Sequence, residues 1–252
     1  MKRALSVLLA FIAFLIGVNG GAGRATQTVP TAKAHAPKTA RLYVLDCGLL
    51  NVTTEGVQRY HVTPAEVGET RMAVPCFLIA HPRGTLMWDL GVIPDGDVDA
   101  QPQGARLSVN VAVAAVVTRT LRSHLAQIGY RPADITYFAF SHAHIDHSAN
   151  ANAFAASTWL ARPAERDFMW ADNNTRVNPS FYTDLKNSKS VVIIDKDEHD
   201  VFGDGQVVIK SAPGHTPGHQ TLVVRLATTG NAEWRSLSLP AGAHVASGAT
   251  RQ

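Results

Sequence analysis

Short apolar runs rich in Val, Ile, Leu and aromatic residues recur along the chain, separated by Gly-, Pro- and Asp-containing punctuation. Residues 41–45 (Arg-Leu-Tyr-Val-Leu) read as a first strand. Residues 74–79 and 85–90 flank His81-Pro-Arg-Gly84, a set of turn formers, and predict a hairpin. The Gly-, Pro-, Asp- and Gln-rich stretch 92–110 reads as a long loop able to wall a pocket. Val117, Leu121, Leu125 and Ile128 fall at helical spacing, and Gly129 ends that helix. Residues 135–140 predict a buried strand, 150–154 a short helix, 158–160 a strand and 163–169 a helix start. Residues 191–194 are a strand, and the turn 202–205 leads into another at 207–210. Strands alternating with helices favour an α/β fold over a pure sandwich of sheets.

Composition narrows the class. The 252 residues suit one α/β domain, and 46% hydrophobic with 17% charged residues is a globular balance. Lys2 and Arg3 precede an apolar run from Ala4 to Val18 and then small residues, the order of a secretory signal peptide over residues 1–25. The run is short for a membrane span, so export to the periplasm or medium is expected, without stable membrane association after cleavage. Residues 26–40 read as a flexible lead-in. The formal charge of +3 falls to +1 without Lys2 and Arg3, and to 0 without Arg24. The basic balance thus belongs partly to the leader, and no Lys/Arg run points to a nucleic-acid partner. Cys47 and Cys76 are the two cysteines; paired or as buried thiols, neither has the spacing of a Cys-rich zinc site.

The chemistry concentrates at Ser141-His-Ala-His-Ile-Asp-His147, where His142, His144, Asp146 and His147 offer four metal ligands within six residues. On extended backbone His142 and His144 point the same way, while Asp146 and His147 can turn toward a second position. Imidazole and carboxylate together suit Zn²⁺, or less commonly Fe and Mn. Following the strand 135–140, these ligands leave a strand end, a usual place for a site. Asp89, before Gly91, ends an earlier strand, where it either orients metal ligands or caps a turn.

A second cluster, Ala212-Pro-Gly-His-Thr-Pro-Gly-His-Gln220, also follows a strand, with Gly214 and Gly218 permitting turns that aim His215 inward. His215 would be a third imidazole at one metal, leaving a position open for water. His219 reads as supporting the turn or the ligands.

With these residues in hand, the chain resembles the metallo-β-lactamase-fold hydrolases over roughly residues 41–226. The histidine motif, Asp89-Leu-Gly91 and Pro213-Gly-His-Thr-Pro-Gly-His219 carry the resemblance, and within that superfamily it looks most like the N-acyl-homoserine lactonases. The resemblance implies an αββα sandwich and two zinc ions, His142, His144 and His215 at the first and Asp146 and His147 at the second. It implies metal-assisted opening of a small lactone, with Asp146 also passing a proton to the leaving oxygen. β-Lactam or thioester hydrolysis is the alternative chemistry.

The family pattern also calls for a bridging Asp, a nearby Tyr and a final His after the Gly-His motif. Past His219 this chain has Glu233 and His244 alone in those classes, and neither Asp nor Tyr. In residues 235–252, Ala, Gly, Ser, Arg and Pro make up 12 of 18 positions. This stretch reads as an unstructured or aberrant tail on an incomplete domain, 41–234, of the kind a frameshift or truncation leaves. The competing expectation is therefore an inactive product holding at most one metal.

Overall fold

The computed structural model describes residues 36–58, 61–101, 103–110, 112–228 and 231–237. They fall within one compact unit. The expected signal peptide and the lead-in up to residue 35 lie outside the described residues.

Strands β1 (Arg41–Val52), β2 (Arg71–His81) and β3 (Gly84–Trp88) run antiparallel in sequence order. A hairpin of β4 (Ala105–Asn110) and β5 (Val113–Val117) adds to β1, while β6 (Tyr137–Ala139), β7 (Thr158–Ala161) and β8 (Val191–Ile193) continue parallel to β3. The result is an eight-stranded sheet of order β4-β5-β1-β2-β3-β6-β7-β8. A second, antiparallel sheet has the order β12-β11-β10-β9, from β9 (Glu198–Asp200), β10 (Val207–Ser211), β11 (Gln220–Thr228) and β12 (Asn231–Leu237).

The pleat explains the layers. In β2, Cys76, Leu78 and Ala80 point to one face, and Phe77 and Ile79 to the other. The first face packs against the helices α1 (Thr54–Gln58), α2 (Pro64–Val67), α3 (Asp95–Asp99), α4 (Leu121–Gln127), α5 (Ile145–Ser148) and α6 (Pro163–Met169). On the second face Phe77, Ile79, Leu86 and Trp88 meet Val207, Ile209, Leu222 and Val224 of the smaller sheet. With both faces covered, these strands read as continuous apolar runs. Helices, sheet and sheet thus stack in that order. No helix among the described residues is long and apolar enough to cross a membrane.

Three expectations need correction. The long loop at 92–110 contains α3 and β4. In β4 apolar Ala105, Leu107 and Val109 alternate with Arg106, Ser108 and Asn110, the pattern of an edge strand. α3 is tied down by Asp95, whose carboxylate accepts from the backbone N–H of Leu121 (2.7 Å) and Arg122 (2.9 Å). Val117 belongs to β5, because the helix starts at Leu121, where the Thr120 hydroxyl caps it by accepting from Ser123 N. Residues 235–237, assigned to the tail, pair with β11 as part of β12. Backbone hydrogen bonding recruits them where no apolar period marks them. Residues 238–252 lie outside the described residues.

Cys47 and Cys76 are joined as a disulfide between β1 and β2, buried under Gly91. It closes a separation of 29 residues, for which chain entropy alone gives about 3–4 kcal/mol. Replacing both cysteines with Ala is expected to lower unfolding stability by about that amount, read from urea denaturation with the wild type alongside. An equally stable double variant would show that β1–β2 pairing fully constrains this segment without the bond.

Candidate metal centre

β3 and β6 are parallel neighbours, so the chain leaves both at the same end of the sheet. Asp89 follows β3 and Ser141-His142 follows β6. Asp89 sits at φ 58°, a left-handed conformation tolerated by a short polar side chain, and is 2% exposed. Its carboxylate accepts from Ser141 N (2.7 Å) and Ser141 Oγ (3.3 Å) and lies 3.0 Å from His147 Nδ1. The Ser141 hydroxyl also lies 3.2 Å from Nδ1 of both His142 and His147. α5 then turns His147 back: its backbone N–H donates to the His144 carbonyl, and its own carbonyl accepts from Leu90 N.

The loop after β10 brings the second cluster over this one. Gln220 fastens it twice, through its N–H to the Ser141 carbonyl (2.9 Å) and through Nε2 to the Phe140 carbonyl (3.0 Å). The rings of His142, His144 and His215 come together with centroids 4.6–4.7 Å apart. One ligand atom from each lies within 4.8 Å of the others. His142, Asp146 and His147 form a second such group. His219 lies beside them, buried, with its ring centroid 5.1 Å from His142. The structure thus brings every predicted site residue into one cluster.

Burial pushes the imidazoles toward neutrality. His142 is held well below its ordinary value by desolvation and then by its histidine neighbours. His144 falls to about 3, again first by burial and then by the Arg176 guanidinium. His215 and His219 are lowered in the same way, chiefly by burial. His147 goes the other way: desolvation opposes its charge, but the Asp146 and Asp89 carboxylates prevail and raise it. Asp146, 3.3 Å from His147 Nε2, is held down at about 2, its own desolvation outweighed by that partner.

These directions fix a pH dependence for the metal-free protein. The four lowered imidazoles refuse protons that the unfolded chain takes up near pH 6.5, so stability falls as pH drops through that value. His147 has the opposite sign, contributing below pH 6.5 and losing its contribution as pH rises. Glu165, raised chiefly by burial, has the same sign as His147. The four lowered imidazoles outnumber these two, and the melting temperature of the chelator-treated protein is expected to fall from pH 7 to pH 5. A flat or rising profile over that interval would contradict the lowering of these imidazoles.

Sequence reasoning missed Glu165. From the first turn of α6, and 4% exposed, its carboxylate accepts from Ala143 N at 2.6 Å, from Thr216 Oγ1 at 2.7 Å and from Gly218 N at 3.0 Å. No spacing in the chain announces it, since it meets both clusters only through the fold. Gln220 ends the second histidine motif, and Arg176 carries no signal. Two surface clefts, of about 590 and 570 Å³, lie elsewhere around Arg119 and Arg166. Neither is lined by the histidines, so ligand geometry rather than cavity size identifies the site.

The donor set fits a divalent metal. The ligand atoms of His142, His144 and His215 converge from imidazoles lowered toward neutrality, and His144 Nε2 is buried with no hydrogen-bond partner among the described residues.

Comparison with known proteins agrees in kind. The profile of the Metallo-beta-lactamase superfamily matches residues 70–230. The N-acyl homoserine lactonase AttM of Rhizobium radiobacter is 28% identical over 192 residues, covering 74% of this chain and 71% of that protein. AttM of Azorhizobium caulinodans is 29% identical over 197 residues, covering 75% and 73%. Among solved structures, a B. thuringiensis AiiA mutant with N-decanoyl-L-homoserine bound at its active site superposes with a TM-score of 0.58 at 21% identity, over 74% of this chain and 71% of that one. AidC, a dizinc quorum-quenching lactonase, superposes with a TM-score of 0.50 at 17% identity, over 77% and 71%. At these identities the structural likeness is one of fold.

Proposed function

This chain belongs to the metallo-beta-lactamase superfamily, and from that premise we propose that it opens the lactone ring of N-acyl homoserine lactones, quenching quorum signals. It is a hydrolase-fold protein related to N-acyl homoserine lactonases. The observation that carries the reading is the convergence of His142, His144 and His215, with one ligand atom from each within 4.8 Å of the others. In this reading these three hold one zinc ion, and Asp146 and His147 hold a second. Bound there, zinc supplies Lewis acidity that activates water and polarises the ring carbonyl.

The chain's own residues do the rest. Burial keeps the three imidazoles unprotonated and ready to donate lone pairs. Asp89 and Ser141 fix how the His142 and His147 rings face. Asp146, ionised at neutral pH, takes the proton that attacking water loses and gives it from Oδ to the ring oxygen as the C–O bond breaks. The product is an N-acyl homoserine with a free hydroxyl and a carboxylic acid, which releases its proton to solvent and stands as the carboxylate.

A second reading has its own support. The group around Asp146 and His147 shares His142 with the first, and Asp146 is already engaged by His147. A protein that holds a single metal without turnover would look the same. Metal content measured with lactone opening on one zinc-supplemented sample separates the two. About two ions per chain with chelator-sensitive turnover supports the lactonase. One ion or none, without turnover, supports the metal-binding product.

Export is part of the proposal. The leader-like order of residues 2–25 and the Cys47–Cys76 bond both suit an oxidising compartment. Fractionation that leaves the full-length chain in the cytoplasm would refute it.

A further inference from the structure

The histidines sit on two loops separated by some 70 residues, and both loops meet at one carboxylate. We propose that Glu165 is the positioning residue that sets the separation of the two ligand-bearing loops, so that metal affinity at His142, His144 and His215 depends on it. This inference rests on the metal reading above.

The geometry is specific. Oε1 accepts from the backbone N–H of Ala143, the residue between ligands His142 and His144. Oε2 accepts from the Thr216 hydroxyl and the Gly218 N–H, which lie directly after His215 and directly before His219. All three partners donate, and only a carboxylate offers acceptors at both of its ends. Glu165, Ala143, Thr216 and Gly218 are all buried, so water does not substitute for a lost bond. Glu165 belongs to α6, whose Met169 is anchored in the helix-side core. The carboxylate therefore refers both loops to a rigid element.

Glutamine keeps the shape and destroys this match. With its oxygen toward Ala143, its NH₂ faces the Gly218 N–H; turned around, its NH₂ faces the Ala143 N–H. Either way two donors confront each other and one loop is released.

The test uses the mature protein, zinc competition against a chromophoric chelator, and the visible spectrum of the cobalt-substituted form. Glu165→Gln is expected to bind zinc roughly 10- to 100-fold more weakly, the usual consequence of losing a residue that orients metal ligands. Its cobalt bands are expected to shift, while its far-ultraviolet circular dichroism without metal stays that of the wild type. A folded Glu165→Gln with wild-type affinity and bands would overturn the proposal. Should that variant not fold, Thr216→Val decides, since it removes one donor and leaves the carboxylate. A weaker affinity there is expected, and an unchanged one overturns the proposal. Wild-type protein that binds no zinc overturns the metal reading itself, and the two failures are thereby distinct.

Discussion

His142→Ala is expected to abolish lactone turnover and to lower bound zinc, the largest functional effect of any single substitution here. His142 belongs to both ligand groups, with its ring centroid 4.6 Å from His144, 4.7 Å from His215 and 4.2 Å from His147. Removing it leaves His144 and His215 alone at the first position, too few for a catalytic zinc. Metal catalysis of this kind supplies several kcal/mol, so kcat/KM is expected to fall by roughly a thousandfold or more. The fold is expected to survive, because His142 lies on a loop held by Ser141 and Gln220 through backbone contacts the substitution does not touch. Turnover within tenfold of wild type, in a sample whose zinc content is also measured, would remove the chemistry from this cluster.

Much of this centre is legible in the amino-acid sequence. His142, His144, Asp146 and His147 are close neighbours along the chain, and local patterns show themselves without knowledge of the fold. The β2–β3 hairpin is legible for the same reason, with turn formers between two apolar runs. What stays hidden depends on contacts between distant segments. β4 lies in a stretch whose Pro, Gly and Asp content masks a clean alternation from 105 to 110. β9 is three polar residues long and exists because β10 pairs with it. β12 extends beyond the point where apolar period fades, carried by its register with β11. Glu165 is the sharpest case: it precedes Arg166 in an ordinary helix start, and its meaning arises only when two loops arrive on it.

Gly218→Ala follows from that same meeting and has the largest expected effect on stability of any single substitution. The sequence marks this glycine as a turn former, yet its φ is not in the left-handed range that glycine uniquely favours. Close approach is the reason for it. A Cβ on Gly218 would lie 2.3 Å from Glu165 N, 2.5 Å from its Cβ and 2.7 Å from its Cα. Two of those atoms are helix backbone, which cannot swing aside as the end of a long side chain can. Either α6 moves off its core contacts or the loop withdraws, and withdrawal stretches the Gly218 N–Glu165 bond of 3.0 Å and carries His215 and His219 with it. Overpacking in a buried site costs about 1–3 kcal/mol and more where the backbone must shift, so a loss of about 3 kcal/mol is expected. Zinc affinity falls with it, because the displaced loop bears a ligand. Gly96→Ala is the control: nothing lies within 4 Å of its new methyl, and a helical Gly→Ala change is neutral or stabilising by up to about 1 kcal/mol. If urea unfolding finds Gly218→Ala as stable as Gly96→Ala, with zinc affinity intact, then α6 yields freely and the tight seat of the second loop on Glu165 is not what holds the histidines together.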